Sequence, residues 1–356
     1  MDPETARRVH YYNQDGRYRH YAIFEQRLPH HEAFLAPPAP EGAPGVPGPA
    51  LSADGNNNND VAVLFAGDWR FSRRTAAAIS QFLVRPLRAA VFAVMSGDPV
   101  SDGSAERGAM QTAFPSLFDF VWMPDISPDE LEVELRKSGS LPLYQALGGV
   151  ALGPVSSGGS SALQALRKLQ AVLDIATKHE AHRRQPWKWL VFSRTDLVWV
   201  APHPPISLLD PRAIWISNTT YTGVAVTRYA GLNDWHAAVP RSLANAYFGR
   251  WSLIISGQVP CRPGQDPEEL LGSIIHVLEV PVGLFAAVAS LERCDSWNCA
   301  WKGWYGDRRN ATHRFRFHSD EEDILNYAPG LRSGALSWAS ARDGSGDLFR
   351  LRLLSS

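Results

Sequence analysis

The chain has 356 residues, 45% of them apolar and 20% charged, with a formal net charge of −1. That balance excludes a strongly basic surface that would draw the protein to nucleic acid or to an acidic membrane. No apolar run approaches the roughly 20 residues that a membrane-spanning helix requires.

The N-terminal stretch "MDPETARRVHYYNQDGRYRHY" is polar and unlike a signal peptide. It reads as belonging to a cytoplasmic protein if the chain is whole, or to one of the Golgi or secretory lumen if its start lies upstream. Residues 36–60 are rich in Pro, Gly and Ala and then in Asn, a composition that builds no core. Residues 1–60 are therefore expected to be an arm and linker, with one folded unit over 61–290 and an aromatic, basic extension over 291–356 packed on it.

"VAVLFAG" (61–67) is a β-branched apolar run ending in glycine and reads as a buried strand with a tight turn. "RRTAAAISQFLVRPL" (73–87) has helical spacing and is expected to stop near Pro86. "AAVFAVMSG" (89–97) is a second buried strand. The order strand, helix, strand with short connections predicts a parallel α/β sheet with helices on both faces. "FDFVWMP" (118–124) reads as the next strand, and the Gly/Ser-rich residues 139–161 as a loop.

"SALQALRKLQAVLDIATKHEAHRR" (161–184) carries one apolar face through Leu163, Leu166, Leu169, Val172, Leu173 and Ile175. It is the clearest helix. "AIWISN" (213–218) reads as a strand, and "DPEELLGSIIHVLEV" (266–280) as a helix with Pro267 at its first position.

"WLVFSRTDLVWV" (189–200) is an apolar strand broken by Arg194-Thr195-Asp196. Buried charge is costly unless it is paired. Ligands of open α/β sheets bind at the carboxyl ends of the strands, where such charges find partners. Arg194 and Asp196 lie two apart and share a face if the strand stays extended. One reading has them serve a ligand, with Asp196 solvated where the strand meets the loop "APHPP". The other has them cap the strand as an internal ion pair.

Gly67 and Arg70 follow the first strand: glycine allows close backbone approach, and Arg70 suits a phosphate or a base. Asn233-Asp234-Trp235-His236 is a polar, aromatic cluster. It reads either as a sugar-handling group or as an Asn/Asp cap on a helix "AAVPRSLANAYF" with Trp235 in the core. His313 and His318 read as candidate metal ligands or, more simply, as parts of an edge strand. Cys294 and Cys299 either close a small disulfide loop or stay free; with Cys261 they have no zinc spacing. Asn218 and Asn310 stand in Asn-x-Thr triplets, which fit a secretory route. No Gly-x-Gly-x-x-Gly, Gly-Lys-Ser/Thr or Gly-x-Ser-x-Gly occurs, so dinucleotide, P-loop and serine-nucleophile readings have no support.

In order and spacing, "VAVLFAGDWR" (61–70), "RPLRAAVFAV" (85–94), "WLVFSRTDLVWVAP" (189–202), "GLNDWHAAVPRSLANAYFGRW" (231–251) and "PEELLGSIIHVLEVPV" (267–282) resemble GT-A-type glycosyltransferase-like proteins of algae, plants, bacteria and large viruses. The resemblance covers about residues 60–285. It implies a Rossmann-like fold and sugar transfer from a nucleotide-sugar donor to a glycan or other hydroxyl acceptor. It implies Gly67, Arg70, Arg194 and Asp196 at the donor, Asp234 as catalytic base, and Asn233 and Trp235 at the acceptor sugar. Such enzymes hold Mn²⁺ or Mg²⁺ through an Asp-x-Asp motif, which would place a metal at Asp196. Here Arg194 replaces the first acid, and a guanidinium binds phosphate directly and bidentately. The alternative reading is a catalytically silent nucleotide-sugar or glycan-binding protein on the same fold. A third is an α/β domain with an interaction role.

Overall fold

The structure is a computed structural model that describes residues 6–12, 18–24, 60–97, 101–137, 160–218, 232–256, 267–286, 288–291, 331–333 and 349–352. The arm 36–59, most of the loop 139–161, the three cysteines, His313, His318 and Asn310 lie outside the described residues.

An antiparallel pair, β1 (Ala6–Tyr12) and β2 (Tyr18–Phe24), stands as a sheet of its own. The main unit opens with β3 (Val61–Asp68). Helix α1 (Arg73–Ile79) follows, capped by Ser72 and Thr75, whose hydroxyls each accept from the other's backbone N–H. A π-turn over Ser80–Val84 leads into the short α2 (Arg85–Leu87). Pro86 has no N–H to offer the Phe82 carbonyl one turn back. That carbonyl instead accepts from the backbone N–H of His203 at 2.8 Å, which ties a distant loop to the helix. Arg88, at φ 48°, ends the helix and turns the chain into β4 (Ala90–Ser96).

Next come α3 (Ser104–Ala113), β5 (Leu117–Trp122), α4 (Pro128–Lys137) and the long α5 (Ser160–Arg183). Strand β6 (Trp189–Ser193) ends at Arg194, and the chain turns before β7 (Leu197–Trp199), which belongs to a small second sheet with β11 (Ala289–Leu291). The remaining elements are β8 (Ile214–Asn218), β9 (His236–Pro240), α6 (Ala244–Phe248), α7 (Arg250–Ile255), α8 (Pro267–Val277), β10 (Val282–Ala286), β11 (Ala289–Leu291) and β12 (Phe349–Arg352).

The main sheet has the order β12-β10-β8-β9-β6-β3-β4-β5. Strands β5, β4, β3 and β6 are parallel neighbours, and β8 and β10 are parallel to each other. Strands β9 and β12 run antiparallel to theirs. The fold is α/β, a mainly parallel sheet with helices on both faces, as the strand–helix–strand order predicts.

Alternation along the strands sorts side chains between two cores. Ala62, Leu64, Phe92, Leu190 and Phe192 face a layer that includes α4, α5, α6, α7 and α8. Val63, Phe65, Val91, Met95 and Val191 face α1, α3 and the small sheet.

One of the two sequence readings of this stretch places a helix over "AAVPRSLANAYF", but the structure puts His236–Pro240 in β9, between β6 and β8. Pro240 sits at the last strand position, and helix begins only at Ala244. Alanine favours helix in isolation, but a slot between two strands of a buried sheet overrides that preference.

Two histidines are buried together in the second core. The rings of His203 and His236 lie 5.1 Å apart, with Trp199 4.8 Å and Phe285 5.6 Å from His236. Burial pushes the His203 imidazole down to about 4, against a smaller opposing effect of the Pro204 carbonyl. Burial and the neighbouring His203 push His236 well below its ordinary value. Both rings are therefore neutral in the fold but protonate in the unfolded chain near 6.5. Their contribution is full above pH 6.5 and is lost as pH falls from there. For His203 the loss is about 3 kcal/mol by pH 4. Urea melts of wild type and His203→Phe at pH 7 and pH 4.5 should show the variant losing markedly less stability on acidification. An identical acid loss in both proteins would contradict this assignment.

Candidate functional site

Strand order reverses around β3: the chain first adds β4 and β5 on one side, then returns to place β6 on the other. A crevice opens at such a point beyond the carboxyl ends of the strands, where ligands of α/β sheets bind. Here it is a cleft of about 330 Å³, within the range of small-molecule sites.

Four segments supply its walls. The end of β3 contributes Gly67, Asp68 and Arg70, and the end of β6 contributes Arg194, Thr195 and Asp196. Because β9 runs antiparallel to β6, the residues leading into it, Asp234 and Trp235, reach the same edge. Helix α8 begins there with Pro267 and Glu268. Leu166 and Leu169 of α5 and Phe192 of β6 form an apolar floor.

Gly67, Arg70, Arg194 and Asp196, far apart in sequence, thus share one cleft. Gly67 has φ 135°, a conformation side chains rarely adopt, and a methyl group there would meet no atom within 4 Å. The backbone is bare where it faces the cleft. Asn233 plays a local part: its side chain accepts from the Trp235 N–H at 2.8 Å. Trp235 is 5% exposed and packs in the second core, with part of its surface on the cleft. Asp234 lines the cleft, and its backbone carbonyl accepts from the Tyr247 hydroxyl at 3.3 Å.

Of the two readings of the Arg-Thr-Asp step, the structure shows the internal ion pair and not the extended, solvated geometry. Thr195 and Asp196 form a turn, and it is this turn that faces the two charges toward each other. Arg194 Nε donates to Asp196 Oδ1 and Nη2 to Oδ2, both at 2.8 Å. Asp196 is 1% exposed, and Arg70 Nη1 lies 3.8 Å from its Oδ2. Burial opposes the Asp196 charge, but Arg194, its hydrogen bonds and Arg70 outweigh that and hold the carboxyl below its ordinary range. Burial likewise works against Arg194, and Asp196 reverses the effect, with smaller help from Asp234 and Glu268.

Three residues of this site escaped sequence reading. Asp68 accepts from Arg70 Nη2 at 2.9 Å and lies 3.3 Å from Lys168 Nζ. Lys168 is 1% exposed and also holds Asp125 at 2.6 Å and the Ser96 hydroxyl at the end of β4. Burial works against the Asp68 charge, but Lys168 and Arg70 lower its pKa. Gln164 and Lys168, four apart on the buried side of α5, were the available signal: polar groups on an inward face need partners. Glu268 had no such signal beyond its place in the first turn of a helix.

A divalent cation would need carboxylate oxygens. Both oxygens of Asp196 are engaged by guanidinium, and a positive group occupies the position of the first acid. Among the described residues no three His, Cys, Asp or Glu side chains stand close enough to hold a metal. The residues at Asp196 do not fit a cation site.

No protein-family model and no curated protein matches the chain. Among solved structures, the apo form of mouse xyloside xylosyltransferase 1 aligns at 11% identity over 61% of this chain and 82% of that one, with a TM-score of 0.32. A structure described as a transferase mutant aligns at 13% identity over 62% of this chain and 85% of that one, with a TM-score of 0.34. Both scores are low, and the fold stands on the strand order above.

The buried pair makes a prediction opposite to that of a solvated, ligand-binding aspartate. Asp196→Asn keeps the shape but leaves Arg194 without its counter-charge. Arg194 retains 26% side-chain exposure, so the cost should fall at about 3 kcal/mol, the low end for a broken buried pair. Thermal melts without ligand check this; an unchanged melting temperature would contradict it.

Proposed function

We propose that the protein is a glycosyltransferase that takes a sugar from a nucleotide-sugar donor to a hydroxyl acceptor in the crevice between β3 and β6. One observation carries the reading: a switch-point cleft whose lining holds two guanidiniums, Arg70 and Arg194, with Asp68 and Asp196 bonded to them, and two further acidic groups, Asp234 and Glu268. A nucleotide sugar offers a partner to each kind of group, an anionic diphosphate to the arginines and a hydroxyl-rich ring to the acids.

In this reading the acceptor oxygen bonds to the anomeric carbon as the bond to the diphosphate oxygen breaks. The nucleoside diphosphate leaves with the electron pair, and the arginines stabilise its growing charge. Asp234 takes the proton of the acceptor hydroxyl. Glu268, and Trp235 where it reaches the cleft, contact the sugar. The bare backbone at Gly67 admits the donor closely.

A second reading, a silent binding protein on the same fold, draws on the commitment of Asp196 to Arg194, since that carboxylate is not available to a metal. Titration with UDP-, GDP- and dTDP-sugars, with and without Mn²⁺, separates the two. Saturable binding with slow release of free sugar is the expected result. Binding with no turnover would favour the silent protein, and no binding of any donor would sink both.

Asp234→Asn supplies a sharper test of the base. With the acceptor in place, kcat should fall by about 10²–10⁴ while donor affinity changes little. An unchanged kcat would remove Asp234 from the chemistry.

A further inference from the structure

We infer that Arg70 and Arg194 form a metal-independent clamp for a diphosphate, and that Asp196 is its positioning residue rather than a ligand. The inference rests on the donor-site reading above and gives the leaving group its counter-charge.

The geometry is that of two guanidiniums braced from behind. Arg194 spends Nε and one Nη2 proton on Asp196, which leaves the Nη1 group and the second Nη2 proton of its five donors. Its side chain is 26% exposed and lines the cleft. Arg70 is anchored through Nη2 to Asp68 and leans on Asp196 through Nη1, and its side chain is 32% exposed on the same cleft. One buried carboxylate therefore sits against both arginines and sets the spacing between them.

Asp68 is itself held by Lys168, whose other partners are Asp125 and Ser96. Lys168 meets Asp68 at Oδ1 while Arg70 holds Oδ2, so the carboxylate that anchors Arg70 is itself fixed in place. Fixed guanidiniums lose little freedom on binding, and each offers paired N–H groups to phosphate oxygens. The role that a cation and two acids fill in an Asp-x-Asp site falls here to two cations and one acid.

Inorganic pyrophosphate is the probe, because it carries the diphosphate without committing to a base or a sugar. Titration calorimetry on the full chain should show binding in EDTA that Mn²⁺ does not tighten. Arg70→Gln and Arg194→Gln should each weaken it about 10-fold or more, the worth of a charge-assisted hydrogen bond. Arg194→Lys should behave like Arg194→Gln, because an ammonium cannot hold both Asp196 oxygens and face the ligand.

Asp196→Asn separates positioning from plain electrostatics. Removal of a negative charge near an anion should tighten binding by Coulomb's law alone. A positioning role predicts weaker binding instead, measured below the melting transition of the variant. If Asp196→Asn does not fold, Arg70→Gln decides, since Arg70 is partly solvated. Pyrophosphate binding that requires Mn²⁺, is insensitive to both arginines, or is absent altogether would overturn the clamp. If pyrophosphate binds through the arginines but no nucleotide sugar binds, the clamp stands and the donor reading falls. If nucleotide sugars bind only with Mn²⁺, the donor reading stands and the clamp falls.

Discussion

The ion pair between Arg194 and Asp196 governs how the centre of this protein is built. An apolar strand ends, the chain turns within three residues, and both oxygens of a buried carboxylate close on one guanidinium. Without that closure the turn would strand two charges at the edge of a core. With it, β6 can end and β7 can leave for the small second sheet, while the exposed side of Arg194 stays in the cleft. Arg70, arriving from β3, joins the same carboxylate, so the two halves of the crevice are linked electrostatically as well as by strand pairing.

Polar contacts then spread outward from this centre. Asp68, Lys168, Ser96 and Asp125 connect the ends of β3 and β4, the helix α5 and the residues after β5. Each charge has a partner of opposite sign, which is why so many ionisable groups lie close together without opening the fold. Asp234 and Glu268 line the same cleft from segments of a different kind, the lead into β9, which pairs beside Arg194, and the first turn of α8.

Much of this was legible in the sequence, for identifiable reasons. β3, β4 and β6 are continuous apolar runs with clear ends, and a strand buried on both faces has to read that way. The α5 periodicity is long enough to leave no alternative. Gly67, Arg70, Arg194 and Asp196 stood out because each follows such a run, and the parallel sheet brings them to one edge. Sequence could not say that Asp196 would be buried. Two residues of separation fit a shared strand face or a turn equally well, and only the folded turn decides. Nor could it place His236–Pro240 in a strand, because a short Ala-rich segment takes its structure from its neighbours. Lys168 stands on the inward face of α5, but its partners come from three other segments that only the fold brings together.

On the proposed reading, the crevice between β3 and β6 takes a diphosphate on two arginines held by one buried carboxylate. A crystal structure of the protein soaked with pyrophosphate, in the absence of divalent cations, tests this most directly. Phosphate oxygens are expected about 3 Å from both the Arg70 and the Arg194 guanidinium, with the Arg194–Asp196 pair still bidentate. Pyrophosphate seated elsewhere, or Arg194 swung away from Asp196 to reach it, would contradict the account.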